Sequence, residues 1–142
     1  MIKEIQNCPL GHEGWKQYED VIYNIIEYVF ENSFSQLLIK KQVKDQLNTD
    51  VKDFIISNNG IHDFWKTVKH VYNCNNIVIE CKNYKDEIGI DELRQVSDYL
   101  EEGAFGQFGI IFSRKGLNNG GRKKQIKYPK GQNKKIILVL NE

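Results

Sequence analysis

From residue 15 to residue 30, Trp15, Tyr18, Ile22, Ile25, Ile26 and Val29 recur at three- and four-residue steps, the repeat of one buried helix face. Asn32 and Ser33 end that helix, and residues 37–43 and 51–57 read as two strands about a turn at Asn48 and Asp50. Asn58-Asn59-Gly60 breaks the second strand, after which Phe64, Trp65, Val68, Val71 and Tyr72 predict a short helix over 61–72. Asn73, Asn75 and Asn76 then lead into a strand over 77–83. Ile90, Leu93, Val96 and Leu100 predict a second strong helix, centred on 91–100 and stopped by Gly103 and Gly106. Apolar strands follow at 108–112 and 136–140, and residues 1–13, with Pro9 and Gly11, read as a lead-in. Strands alternating with helices predict an α/β fold.

The length of 142 residues suits one domain. With 40% hydrophobic residues, 27% charged and two prolines, neither a disordered tail nor a disulfide miniprotein fits. No apolar run approaches the ~18 residues of a membrane span, and no signal-peptide core opens the chain. A cytoplasmic protein with no membrane partner is expected. Cys8, Cys74 and Cys81 form no C-x-x-C pair, so reduced thiols are expected. Cys8 and His12 lack a second ligand pair at zinc-finger spacing.

The formal charge of +1 conceals a strong asymmetry. Residues 1–113 hold 11 basic and 18 acidic side chains, a balance of −7, whereas residues 114–135 hold nine Lys and Arg and no carboxylate. That segment reads as a loop, longer than the ~12–15 residues beyond which loops tend to be functional or disordered. It is a solvated connection unless a nearby site works on a polyanion.

The strand around Ile77-Val78-Ile79-Glu80-Cys81-Lys82 carries candidate chemistry. Alternation puts Ile77, Ile79 and Cys81 on one face and Val78, Glu80 and Lys82 on the other, so a carboxylate and an ammonium point the same way. Glu-x-Lys alone is common, and a cross-strand ion pair would also account for it. Asp53 interrupts a second apolar strand. If the two strands pair, Asp53 and Glu80 can converge on a hard cation such as Mg²⁺, with the Cys81 backbone carbonyl as a further oxygen ligand. Gln95 and Tyr99 share one helix face, and Glu19 lies on the first helix among residues otherwise devoted to core.

In this order, Glu19 on a helix, Asp53 on a strand, Glu80-Cys81-Lys82 on the next and Gln95-x-x-x-Tyr99 on the following helix, the chain resembles the PD-(D/E)XK nuclease superfamily. Within it, the chain is most similar to Mrr-type restriction endonucleases and RecB-type nuclease domains, which share the Q-x-x-x-Y signature. The resemblance covers residues 14–113, with 136–140 as a last core strand. Lys52 stands where the name-giving motif has proline, and the helix over 61–72 is inserted between the two acid-bearing strands. The resemblance implies an α/β fold with a restriction-endonuclease-like αβββαβ core, a mixed central sheet flanked by helices.

It also implies metal-dependent phosphodiester hydrolysis. Asp53, Glu80 and the Cys81 carbonyl would hold Mg²⁺ or Mn²⁺ and activate a water, and Lys82 would orient or deprotonate that water and offset transition-state charge. Gln95 and Tyr99 would brace the site or touch the nucleic-acid backbone, and Glu19 would help orient water or a second metal. Arg114, Lys115, Arg122, Lys123 and Lys124 then become candidate phosphate contacts, with no recognition helix or zinc finger to read sequence. The expectation is a single nuclease domain over 1–142: lead-in 1–13, core 14–113, basic loop 114–135 and last strand 136–142. It would cut DNA in restriction or defence, with RNA also open as a substrate, as a monomer or homodimer, alone or as a module of a longer protein. Two alternatives share the scaffold, a catalytically silent nucleic-acid-binding module and a Holliday-junction resolvase-like enzyme. A protein-interaction domain with chance motifs would lack both metal site and electropositive cleft.

Overall fold

The computed structural model describes residues 2–44, 51–101, 105–131 and 133–142. A first short helix, α1 (Ile2–Asn7), and a 3₁₀ turn at His12–Gly14 precede α2 (Trp15–Phe30). Strands β1 (Ile39–Lys44) and β2 (Val51–Ser57) lead through α3 (Asp63–Val71) to β3 (Asn76–Lys82). Then come α4 (Ile90–Glu101), β4 (Phe108–Ser113), α5 (Asn119–Gln125), a 3₁₀ turn at Tyr128–Lys130 and β5 (Ile136–Asn141). The turn expected at Asn48 and Asp50, and Gly103, lie outside the described residues.

The five strands lie in sequence order in one sheet. β1, β2 and β3 are antiparallel to their neighbours, while β3, β4 and β5 run parallel. Parallel neighbours need a crossover, and α4 and α5 supply the two that join them. This is the expected α/β class, a five-stranded mixed sheet flanked by helices.

Each face of the sheet has its own core. On one, Tyr18, Ile22, Ile26 and Phe30 of α2 and Trp65 and Val68 of α3 pack on Phe54, Ile56, Ile77, Ile79, Phe108 and Ile110. Trp65 is the hub there: its ring lies 5.2–6.0 Å from the rings of Phe30, Phe34 and Phe108. Across the sheet, Leu93, Val96, Tyr99 and Leu100 of α4 pack on Val78, Ile111 and Ile137. Burying such aliphatic side chains contributes about 1.5–3 kcal/mol each, so α2 and α4 are fixed firmly against opposite faces of β3. Gly106, at φ 86°, makes the entry to β4; a Cβ there would lie 2.2 Å from the Asn73 carbonyl oxygen.

Two stretches depart from the sequence reading. The lead-in over 1–13 contains α1 and the start of the 3₁₀ turn. The basic loop over 114–135 contains α5 and a second 3₁₀ turn. Asn118 caps α5 by accepting from the Gly121 N–H at 2.8 Å, the local signal that starts a helix. Gly121 is buried against Leu117, whose Cδ2 would stand 2.6 Å from a Cβ, so glycine here serves close packing.

Candidate functional site

The β2–β3 ladder supplies the frame. Pairing runs from Ser57↔Asn76 to Phe54↔Ile79, and one step further Asp53 stands opposite Glu80. There the backbone ladder gives way to a side chain: Asp53 Oδ2 accepts from the Cys81 N–H at 2.8 Å. The insertion of α3 between these strands therefore leaves them paired.

Glu80 is 2% exposed and Lys82 7%, which commits two charges to the interior at the end of β3. Lys82 Nζ lies 3.3 Å from Glu80 Oε2 and donates to Gln95 Oε1 at 2.7 Å. Gln95 Nε2 in turn donates to the Tyr99 hydroxyl at 2.7 Å. The ring of Tyr99 lies 4.3 Å from the ammonium of Lys52, which is fully buried. Gln95 and Tyr99 thus form one line of contacts that orients the Lys82 ammonium from α4. Simple alternation would put Lys52 on the face of Phe54; its ammonium instead lies over Tyr99 and Phe105, on the α4 side.

Glu19 reaches the cluster from α2 through a residue that sequence reasoning passed over. Gln42 Nε2 donates to Glu19 Oε2 at 3.0 Å and lies 3.5 Å from Asp53 Oδ1. Gln42 has φ 49°, a left-handed conformation uncommon for a residue with a Cβ. The β1–β2 register passes from Lys41↔Phe54 to Val43↔Lys52 without pairing Gln42. Nothing in the polar run Lys40-Lys41-Gln42 marks this residue in the sequence.

The carboxyl groups hold their protons unusually well. Burial, then the charge of Asp53, pushes Glu80 up to about 7, against the pull of Lys82. Burial, then Asp53, likewise raises Glu19 to about 7. Asp53 is raised by burial and held back by the Cys81 N–H and Lys82. Crowding three acids in this way is unfavourable unless a cation or protons offset their charge. Glu80 Oε1 is buried with no hydrogen-bond partner among the described residues, an orphan of the kind that a water or an ion satisfies. Among the described residues no group of three or more His, Cys, Asp and Glu side chains stands at metal-holding spacing. Asp53, Glu80 and the Cys81 carbonyl still match the hard-oxygen, low-count donor set that Mg²⁺ accepts.

Glu80's folded pKa of about 7 lies above its ordinary 4.5, so protons favour the native state and stability falls as pH rises through that interval. In EDTA, Glu80→Gln should melt close to the wild type near about pH 5 and at a higher temperature near about pH 8. A melting-temperature difference that is constant across this range would contradict the assigned burial of charge.

The predicted phosphate contacts separate into two groups. Arg114 is 7% exposed and sits inside the protein, bonded to the Glu142 carboxylate, the Cys8 carbonyl at 3.0 Å and Asn83 Oδ1 at 3.2 Å. Lys115, Arg122 and Lys123 are exposed and Lys124 is half-buried. Arg122 Nε donates to the Leu117 carbonyl and its guanidinium lies 3.7 Å from Glu87. Lys124, with its ammonium 5.1 Å from the Tyr128 ring, borders a groove with Arg94 and Lys127.

No family model and no solved structure matches the chain. One curated protein does, the "Putative transposon gamma-delta 80.3 kDa protein" of Escherichia coli strain K12, 30% identical over 110 residues. The match takes in 78% of this chain, which spans only about 15% of the length of that relative. No helix among the described residues is long and apolar enough to cross a membrane.

Proposed function

We propose that the protein is a divalent-metal-dependent nuclease of restriction-endonuclease-like type, hydrolysing phosphodiester bonds in DNA. The observation that carries this reading is the convergence of Asp53, Glu80 and Lys82 at one end of the β2–β3 pair, with Lys82 held between Glu80 and Gln95. A Mg²⁺ or Mn²⁺ ion on Asp53, Glu80 and the Cys81 carbonyl would supply Lewis acidity at a phosphate oxygen and a more acidic water. Lys82 presents an ammonium whose direction is set by Gln95, with Tyr99 behind it. It faces the charge that grows on the phosphoryl oxygens and can pass a proton to or from the attacking water. Gln42 keeps Glu19 within reach of Asp53.

The likeness to a transposon-encoded protein supports DNA as the first polyanion to test. Plasmid DNA, modified DNA and RNA incubated with Mg²⁺, Mn²⁺ or EDTA make the experiment. Metal-dependent nicking or linearisation that EDTA suppresses is expected. DNA binding with no cleavage under any metal would instead favour a silent binding module.

A further inference from the structure

Beside the carboxylates lies a half-enclosed cavity of about 210 Å³, lined by Gly11, His12, Trp15, Tyr18, Glu19, Cys81, Asn83 and Tyr84. Four of these eight residues carry aromatic rings. Trp15 and Tyr84 are 42% and 44% exposed, although large aromatics usually bury most of their surface. The rings of His12 and Trp15 lie 6.5 Å apart, with planes 11° from parallel, so they offer a flat ring one common stacking direction. Tyr84 ties the cavity to the chemistry, because the Lys82 ammonium lies 6.0 Å from its ring centre. Glu19 and Cys81 belong to the cavity and to the acid cluster alike.

From this geometry, and resting on the nuclease reading above, we infer that the cavity takes one unstacked nucleobase of a single-stranded or locally opened strand, next to the phosphodiester to be cut. The volume is below the roughly 300–1,000 Å³ of sites for drug-sized ligands, which suits a single ring system. Base–aromatic stacking tolerates any base because each has a π-face. On the polar wall, the Asn83 amide is already committed elsewhere. Asn83 spends its Nδ2 on the Pro9 and Gly11 carbonyls and its Oδ1 on Arg114. Glycine at position 11, at φ 78°, allows the loop between α1 and α2 to turn at the cavity wall without a side chain.

The chain has two tryptophans, and Trp65 is buried in the core at 7% exposure, so quenching by an added oligonucleotide reports on Trp15. The titration is run in EDTA with a short single-stranded oligodeoxynucleotide, the matching single-stranded RNA and a blunt duplex. Quenching by the single strands and not by the duplex is expected. Because substitution removes the Trp15 reporter, the variants are read by anisotropy of a labelled single strand: Trp15→Ala and Tyr84→Ala should each weaken binding about tenfold or more, with Trp15→Phe close to wild type. Equal quenching by duplex and single strand, or unchanged binding in both alanine variants with native circular dichroism, would overturn the inference. Because no metal is present, a chain that quenches but never cuts refutes the nuclease and keeps the base pocket. A chain that cuts plasmid with Mg²⁺ while Trp15 stays unquenched does the reverse.

Discussion

Asp53→Ala, Glu80→Ala and Lys82→Ala are each expected to lower metal-dependent cleavage by about 10²–10³-fold or more, with the fold retained. Retention follows from position. The three side chains lie beyond the last β2–β3 backbone pairing at Phe54↔Ile79 and neither apolar core includes them; breaking the buried Glu80–Lys82 pair should lower the melting temperature while the β3–β4 pairing, which runs on to Lys82↔Ser113, holds the sheet together. Their roles should also separate without any turnover. In calorimetric titration with Mn²⁺, the Asp53 and Glu80 variants should lose binding, because each removes an oxygen ligand. The Lys82 variant should keep it, since the ammonium is no ligand and its loss removes a positive charge from beside Glu80. Wild-type cleavage in any of the three would sink the assigned site. Gln95→Ala should give a smaller loss that falls on kcat, because it frees the Lys82 ammonium to wander without removing it.

The elements were legible where apolar spacing was strong. The faces of α2 and α4 are marked by Ile22 and Ile26 and by Leu93, Val96 and Leu100, and these are the residues found packed on opposite sides of the sheet. The neighbourhood of Asp53 and Glu80 was legible only on the condition that their strands paired, which the residues between them could not decide. α5 was hidden because its signal is a cap and a packing constraint. Asn118 and Gly121 work through a 2.8 Å hydrogen bond and contact with Leu117, and neither leaves an apolar period. Gln42 and Lys52 were opaque for a different reason. A polar residue on an edge strand and a lysine beside an acid both look solvated until tertiary structure puts one between two carboxylates and the other under a tyrosine ring. The local rules fail where the chain is most unusual, as they do at functional sites.

Replacing Arg122, Lys123 and Lys124 together with glutamine should flatten the salt dependence of DNA binding. Each lost phosphate contact lowers the slope of log K against log salt by about 0.9 for duplex DNA, so three contacts would remove nearly three units. Folding should hardly change: Arg122 and Lys123 are exposed, and exposed pairs such as Arg122–Glu87 contribute about 0–1 kcal/mol. Arg114 makes the contrast, although it carries the same charge in the same basic segment. Its guanidinium is buried against the Cys8 carbonyl and Asn83 Oδ1, with the Glu142 carboxylate at the surface end, and leaving buried acceptors unpaired costs about 1–3 kcal/mol. Arg114→Gln should therefore lower the melting temperature clearly and leave the salt slope as it was. Filter binding or anisotropy over a salt series, paired with thermal melts, reads both at once. An unchanged slope in the triple variant would return α5 to a merely solvated surface. A slope that falls in Arg114→Gln alone would mean that the buried guanidinium opens to meet the phosphates. Of the nine cations in residues 114–135, burial decides which are presented to a polyanion.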